Sequence, residues 1–325
     1  MKNTYIGIDI GGTKCAVILG KKSGAKMNVI DRVSFPTETK RGPRYALDTL
    51  ITSVDAIMHR QNIVRRSVSG IGVSCGGPLD SKRGVVLSPP NLPGWDNIRI
   101  VHMLEKRFGI PAALENDANA CALAEWRFGA GRGYRNVVFF TFGTGLGAGL
   151  VLDDRLYRGT NDMAGEAGHI RLAPDGPTGY GKAGSFEGFC SGGGIAQLAR
   201  KMIEERRKRG RSIGLLAALS ADDVTAKDIA AAAVKGDTLA KDIFAVSGDH
   251  LGRGLSVIID ILNPEVIILG SVYARCERFI KPHAMRVIRT EALPRSRSVC
   301  RIVPAELGES IGDYAALSIA ASIER

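Results

Sequence analysis

A carboxylate, two glycines, a hydroxyl and a lysine lie close together near the start of the chain, in the segment DIGGTK at residues 9–14. Adjacent glycines allow a tight turn whose backbone N–H groups can approach a ligand without interference from Cβ atoms. The hydroxyl and the cation suit a phosphate group, and the preceding carboxylate suits the magnesium ion that accompanies phosphates. An ordinary glycine-rich hairpin is the alternative interpretation. The candidate residues are Asp9, Gly11, Gly12, Thr13 and Lys14.

A second stretch has the same design, with apolar residues on both sides of the segment FGTGLG at residues 142–147. Its candidate phosphate-binding residues are Gly143, Thr144, Gly145 and Gly147. The Walker phosphate loop is absent. Two such hairpins, each near the start of one half of the chain, predict a duplicated α/β unit with two domains around a central cleft. The pair resembles the ribonuclease-H-like fold of actin/hexokinase-type ATPases, in which each hairpin grips one side of the ATP phosphates.

Two further segments carry groups that suit the recognition of a small polar ligand. A short apolar strand at residues 69–74 ends in Gly76-Gly77-Pro78, which leaves backbone amides at the carboxyl edge of a sheet, where ligands bind in α/β proteins. A proline-rich loop at residues 88–95 carries Asn91 and Trp95. An amide and an aromatic ring are typical of a sugar-binding wall. A plain turn at Gly77 and a structural loop anchored by Trp95 are the alternatives.

The junction at Asn116-Asp117 joins a short strand to an alanine-rich helix. One interpretation is structural, with Asn116 as the N-cap and Asp117 as an acidic residue in the first helical turn. The other makes Asp117 a general base that faces the cleft. Both hold together, because a strand-to-helix junction at a sheet edge can direct a carboxylate toward a ligand.

The second half of the chain contributes polar residues among glycines. Glu166 and His169 fit the recognition of hydroxyls, and they also fit a metal site, although nearby ligands are few. A strand is predicted at residues 170–172, and a last strand at residues 299–303. Glu187 precedes a predicted helix and has a capping charge as its structural interpretation. Gly270 and Ser271 follow a buried strand and begin a helix, which is a common nucleotide-contact geometry.

Composition limits the class of protein. With 45% apolar and 24% charged residues among 325, the chain can bury a large core and is expected to form two domains. No apolar run is long enough to span a membrane, and no signal peptide is recognised, so a cytoplasmic location is expected. The six cysteines lack Cys-x-x-Cys spacing and are interpreted as reduced thiols. The net charge of +11 is attributed mainly to solvated basic faces rather than to nucleic-acid binding.

The ordered set of motifs resembles the ROK family of repressors, open reading frames and sugar kinases. The motifs extend over essentially the whole chain and include DIGGTK at 9–14, PNLPGW at 90–95, ENDANA at 115–120, FGTGLG at 142–147, AGEAGH at 164–169, NPEVIILG at 263–270 and GDYAAL at 312–317. By this resemblance Asp117 is the base on a sugar hydroxyl, Asp9 orients magnesium, and Gly270-Ser271 lie by the adenosine. The residues implied to hold the sugar are Gly77, Asn91, Asn116, Glu166, His169 and Glu187.

The resemblance implies an ATP-dependent kinase that transfers the γ-phosphoryl group of Mg-ATP to a hydroxyl, usually O6, of a hexose or N-acetylhexosamine. A non-catalytic sugar sensor of the same family is the alternative. The expected domains are residues 1–116 with 308–325 and residues 117–307. Members of the family usually form homodimers, so a homodimer is expected. Since the first hairpin begins by Tyr5, a DNA-binding repressor is not expected.

One departure from the family pattern concerns zinc. Many members hold a structural zinc ion with the histidine of the Gly-His motif and three cysteines in a Cys-x-Cys-Gly-x-x-Gly-Cys run. Here Thr178, Tyr180 and Ser185 stand at the cysteine positions, and His169 remains. No structural zinc is therefore expected, and packing by Tyr180 and Phe186 is a candidate means of holding this loop.

Overall fold

The computed structural model describes residues 3–220 and 223–323. Its strands follow the apolar segments of the sequence. In chain order they are β1 (Thr4–Ile10), β2 (Lys14–Ser23), β3 (Lys26–Pro36), β4 (Val68–Cys75), β5 (Leu79–Asp80), β6 (Val85–Val86), β7 (Ala112–Asn116), β8 (Val137–Phe140), β9 (Ala148–Leu152), β10 (Arg155–Tyr157), β11 (Thr178–Gly179), β12 (Lys182–Ala183), β13 (Val266–Leu269) and β14 (Arg301–Pro304).

The helices alternate with these strands, as expected of an α/β fold. They are α1 (Gly42–Arg60), α2 (Ile100–Phe108), α3 (Asp117–Phe128), α4 (Phe186–Cys190), α5 (Gly192–Lys208), α6 (Ala226–Val234), α7 (Thr238–Leu262), α8 (Ser271–Glu291), α9 (Pro294–Val299) and α10 (Ile311–Ala320).

Two five-stranded sheets share one topology. Their orders are β3-β2-β1-β4-β7 and β10-β9-β8-β13-β14. In the first sheet β2 pairs antiparallel with β1 and β3, whereas β1-β4 and β4-β7 are parallel. In the second sheet β10-β9 is antiparallel, whereas β8-β13 and β13-β14 are parallel. The repeated order confirms the duplication that the two glycine hairpins predicted.

Two predicted strands differ from the structure. Residues 170–172 form no strand, and only an isolated bridge joins Arg171 to Ser185, because the flanking glycine-rich segments make irregular hydrogen bonds. The last strand begins at Arg301 rather than Val299, which ends helix α9. Pro294 occupies the first helical position of α9, where its fixed φ favours a helix start.

The chain divides into two compact units. One comprises Met1–Tyr134, Gly149–Ala164 and Glu306–Arg325, and the other comprises Arg135–Ala148 and Gly165–Ala305. Within the described residues, no helix has the length and apolar character that crossing a bilayer would demand.

The first unit has a layered core. Apolar residues of β1, β2 and β4 form one cluster with the buried faces of α1 and α2. Other residues of β1 and β2, including Tyr5 and Ile18, pack with Ala316 and Leu317 of α10 in a separate cluster. Helix α10 also packs against α3. Successive side chains of a strand point to opposite faces of the sheet. Both faces of this sheet therefore carry apolar residues that pack against helices.

Helix α10 lies unusually close to this sheet, and a glycine permits the approach. A Cβ atom added to Gly72 of β4 would lie 2.2 Å from the carbonyl oxygen of Ala316 and 2.3 Å from the backbone nitrogen of Ala320. Both neighbours are backbone atoms of the helix, so neither can move without displacing α10. The absence of a side chain at this position is therefore a packing requirement.

The second unit is built on fully buried strands. All residues of β8 and β13 are buried, and the long helix α7 packs on α4, α5, α6 and α8. Phe186 of α4 is completely buried and its ring lies 5.6 Å from that of Phe140 in β8. This contact fixes α4 on the sheet.

We expect Gly72→Ala to lower the free energy of unfolding by about 1–3 kcal/mol, because the added methyl group displaces α10. Denaturant unfolding followed by circular dichroism measures the change. Gly24→Asn is the control, since Gly24 has a φ of 59° and open space around it, and asparagine tolerates this conformation. Equal stability of the two variants would contradict the close packing.

Candidate active site

The turn between β1 and β2 is held from one side by Thr37. The backbone N–H of Thr37 donates to the carbonyl oxygen of Thr13 (3.0 Å), and its hydroxyl donates to that of Gly11 (2.5 Å). Within a peptide unit the N–H and C=O groups point in opposite directions. The amides of Gly12 and Lys14 are therefore directed away from Thr37, as a phosphate-binding turn requires.

Asp9 is the residue before the last one of β1, and its environment is acidic. Burial raises the pKa of its carboxyl to about 6, and the charges of Asp117 and Asp313 add to this effect, while Lys14 and Arg32 oppose it. A raised carboxyl pKa means that the ionised form lacks sufficient positive partners. Such a group gains from binding a cation, so Asp9 fits the magnesium role that the sequence predicts.

The loop that carries Asn91 packs directly on the first turn. A Cβ added to Gly12 would lie 2.6 Å from the carbonyl oxygen of Asn91. A Cβ on Gly76 would lie 3.6 Å from both side-chain heteroatoms of Asn91 and 4.0 Å from Oδ2 of Asp117. Asn91 and Asp117 therefore flank the same glycine. Trp95 is 1% exposed and is a core anchor, so the structural interpretation of this ring is correct.

The Asn116-Asp117 junction is a helix start. Asn116 is the N-cap of α3, and its Oδ1 accepts the N–H of Ala118 at 2.9 Å. Its Nδ2 lies 3.2 Å from the position of a Cβ on Gly77. Asp117 remains exposed at the first position of α3, yet loss of hydration among the surrounding protein atoms raises the pKa of its carboxyl. A raised pKa makes Asp117 a stronger base than an ordinary aspartate.

Sequence reasoning missed the group that fixes this junction. Glu115 is 1% exposed, and its Oε1 accepts the N–H of Asn116 and the side-chain N–H of Asn119, both at 3.0 Å. Its Oε2 accepts Nε of Arg158 at 2.7 Å. These three contacts hold the strand end from which Asp117 projects. The 43-residue separation of Arg158 and Glu115 left no local signal for the pair.

The second hairpin contains a strained residue. Phe142 is completely buried with a φ of 39°, which is uncommon for a bulky side chain. Its carbonyl oxygen accepts the N–H of Val272 (3.0 Å) and the hydroxyl of Ser271 (3.3 Å). The N–H of Thr141 donates to Gly147 across the turn at 2.9 Å. The surrounding hydrogen bonds therefore maintain the strained backbone that begins the glycine turn.

Glu187 supports this hairpin. Its Oε2 accepts the N–H of Leu146 at 2.9 Å and would lie 2.9 Å from a Cβ on Gly145. Gly143 accepts the N–H of Gly192, at the start of α5. The carboxylate that the resemblance assigns to the sugar thus also fixes the turn expected to hold phosphate.

Glu166 and His169 are exposed residues of one short segment. Glu166 precedes the 3-10 turn Ala167–His169, in which Ala167 and Gly168 are buried. Gly168 packs closely on the carbonyl oxygen of Leu146, where an added Cβ would lie at 2.2 Å. The segment therefore contacts the same hairpin as Glu187, and the second unit brings together all the residues predicted for it near this turn.

A cavity of about 590 Å³ opens at the second hairpin. Its lining includes the predicted residues Gly143, Thr144 and Ser271. The N-terminal ends of α5, α6 and α8 all contribute residues, and the basic side chains of Arg200, Lys227 and Arg275 lie in its wall. Helix N-termini and cations both favour anions, so the cavity suits a nucleotide.

The residues at the family's zinc positions do not fit a zinc ion. Ser185 is buried as the N-cap of α4, and Tyr180 is 75% exposed. Neither residue nor Thr178 supplies a thiolate, and no group of three or more His, Cys, Asp or Glu side chains suited to a metal occurs among residues 3–220 and 223–323. Phe186 packs in the core as predicted, whereas Tyr180 does not.

The sequence matches a known protein family over nearly its whole length. The model of the ROK family matches residues 5–322. The chain belongs to the ROK family. The glucokinase of Streptomyces coelicolor is 31% identical over 317 residues, which cover 97% of this chain and 96% of that protein.

The chain is also similar to a kinase of known structure and to a transcriptional repressor. A ROK glucokinase from Streptomyces griseus, solved with glucose and AMPPNP, is 31% identical with a TM-score of 0.78 and covers 98% of this chain and 99% of that one. The Escherichia coli transcriptional repressor Mlc is 28% identical over 76% of this chain and 59% of its own length. These similarities confirm the predicted two-domain fold of the actin/hexokinase-type ATPases for this ROK protein.

We expect Arg158→Met to lower the free energy of unfolding by about 1–3 kcal/mol, because it leaves the buried carboxylate of Glu115 without its charged partner. The Arg158 side chain is 41% exposed, so water moderates the loss. Denaturant unfolding measures it. Arg155→Met changes an exposed arginine three residues away and serves as the control. Equal stability of the two variants would contradict the role of Arg158 as the charged partner of Glu115.

Proposed function

We propose that this ROK protein is an ATP-dependent sugar kinase that transfers the γ-phosphoryl group of Mg-ATP to a hydroxyl, O6 in our expectation, of a hexose or an N-acetylhexosamine. The observation that carries the proposal is the exposed carboxylate of Asp117, which has a raised pKa and flanks Gly76 together with Asn91, whose loop packs on the first glycine turn. The glucokinases among the relatives support the same reaction class.

In this proposal Asp117 accepts the proton of the attacking sugar hydroxyl, which is a poor nucleophile without a base. Asn91 and the Nδ2 group of Asn116 donate to neighbouring hydroxyls, because Oδ1 of Asn116 already accepts the N–H of Ala118. A backbone amide at Gly77 adds a further donor. Glu166, His169 and Glu187 complete the set with acceptors and an imidazole.

The phosphates would be held by backbone amides. Gly12, Thr13 and Lys14 would donate from one turn, and Thr144 and Gly145 from the other. The N–H groups of Gly11, Gly143 and Gly147 already donate to Lys14, Gly145 and Thr141, so these glycines would shape the turns and let the phosphates approach the backbone. Magnesium, with Asp9 as its orienting carboxylate, would neutralise phosphate charge. Ser271 lines the 590 Å³ cavity, and it would lie by the adenosine together with Gly270, the N-cap of α8. Fixed donors of this kind provide the positioning and charge stabilisation on which phosphoryl transfer depends.

A non-catalytic sugar sensor is the second candidate, and the ROK repressors among the relatives favour it. A sensor would bind a sugar without releasing ADP. The division at residues 116/117 and 307/308, the homodimer and the cytoplasmic location stay predictions.

Asp117→Asn tests the kinase directly. We expect the rate of sugar-dependent ADP release to fall by about 10²–10⁴-fold, because an amide cannot accept the proton. A coupled assay with Mg-ATP and a panel of hexoses and N-acetylhexosamines provides the measurement. Asp48→Asn alters an exposed carboxylate on α1 and is the control. Turnover that survives in Asp117→Asn would exclude Asp117 as the base, and wild-type protein that binds a sugar without turnover would favour the sensor.

The raised pKa of Asp117 predicts the pH profile. Only the ionised carboxylate accepts a proton, so kcat/KM is constant above the raised pKa and decreases about tenfold for each pH unit below it. The fall should begin at a pH above the ordinary range of an aspartate, because loss of hydration among the surrounding protein atoms raises the pKa of Asp117. Initial rates on the best sugar across the acidic range measure the profile. If kcat/KM stayed constant down to the pH range in which an ordinary aspartate titrates, the raised pKa of Asp117 would be contradicted.

A further inference from the structure

The tip of the β11-β12 hairpin carries a strained aromatic residue. The two residues between these strands are Tyr180 and Gly181, with φ values of 44° and 75°. A two-residue turn with positive φ at both positions favours Asn-Gly, and glycine fits it here. A bulky residue with positive φ is strained, and such strain persists mainly where function requires the side chain.

Folding does not explain this side chain. Tyr180 is 75% exposed, so it contributes little to the apolar core. Its ring lies edge-on to that of His169, with the two ring centroids 6.3 Å apart and the planes at 78°. The strained residue therefore directs an exposed aromatic ring toward the exposed imidazole that the proposed function assigns to the sugar.

The hairpin is fixed independently of its tip. Gln197 of α5 makes two hydrogen bonds to the backbone of Thr178: its Oε1 accepts the N–H and its Nε2 donates to the carbonyl oxygen, both at 2.9 Å. Lys182 donates to the carbonyl oxygen of His169 at 2.8 Å. A Cβ on Gly179 would lie 2.7 Å from that of Glu187, so the hairpin packs on the helix that carries Glu187. None of these contacts uses the Tyr180 side chain.

We propose that Tyr180 is a specificity-determining residue for the sugar, whose ring borders the subsite of Glu166 and His169 and contacts the C–H face or a substituent of the bound sugar. The proposal rests on the proposed function. The aromatic ring offers a flat apolar surface, which suits the C–H groups that a sugar presents on one face. The same ring restricts the orientation of His169 through the edge-to-face contact.

Tyr180→Asn separates a binding role from a structural one. Asparagine adopts positive φ more readily than tyrosine, so the thermal midpoint should stay equal or rise. We expect KM for the preferred sugar to increase about 3- to 10-fold, as the loss of one aromatic contact implies. The ratio of kcat/KM values between sugars of the panel should change, while KM for ATP does not.

Tyr180→Phe is the matched control, because it keeps the ring and the strained backbone and should retain the wild-type sugar KM within about twofold. Wild-type sugar KM and selectivity in Tyr180→Asn would overturn the proposal, and so would a parallel loss of thermal stability and ATP affinity.

Failure of the proposed function would appear separately, as wild-type protein that releases no ADP with any sugar of the panel. In that case calorimetric titration of the same sugars into wild type, Tyr180→Asn and Tyr180→Phe decides the role of the ring. Weaker sugar binding by the Asn variant alone supports the proposal. Equal binding by all three, or binding by none, overturns it.

Discussion

The buried carboxylate of Glu115 is the constraint on which the candidate site of the first unit depends. A carboxylate that is 1% exposed must have its lone pairs satisfied by donors, since burial without partners is costly. Here the donors are the backbone of Asn116, the amide of Asn119 and the guanidinium of Arg158. Each belongs to a different part of the local structure. Satisfying one charge therefore aligns a strand end, a helix start and the segment after β10.

The turns of the two glycine hairpins are held in place by different partners. A turn that offers some of its amides to a ligand must be held through its remaining groups. In the first hairpin Thr37 occupies the carbonyl oxygens of Gly11 and Thr13. In the second, Glu187 accepts the N–H of Leu146, and the carbonyl oxygen of Phe142 is held by the start of α8. The duplicated topology thus does not require duplicated side chains.

Much of the fold follows from local patterns. Alternating apolar residues around the glycines predicted both hairpins, and the capping sequence at Asn116 predicted the start of α3. The sheet order is repeated because the two halves repeat those patterns. Burial was harder to predict: Trp95 has the chemistry of a sugar-binding ring, yet tertiary packing buries it.

The wrong strand prediction and the missed ion pair have a common physical origin. Residues 170–172 have the apolar pattern of a strand, but strand formation also needs a neighbour in register, and only one bridge forms. The ion pair of Arg158 with Glu115 joins positions 43 residues apart, and no periodicity reports such a contact. The sequence is informative where a residue's environment is set by its neighbours along the chain.

The hydrogen bonds of Gln197 to Thr178 have a consequence for sequence variation. A metal site prescribes the side chain at each ligand position. Gln197 instead binds the main-chain N–H and C=O of residue 178, which any amino acid except proline supplies. The side chain at 178 is thereby released from a structural duty, so this position can vary while the backbone path of the hairpin stays the same.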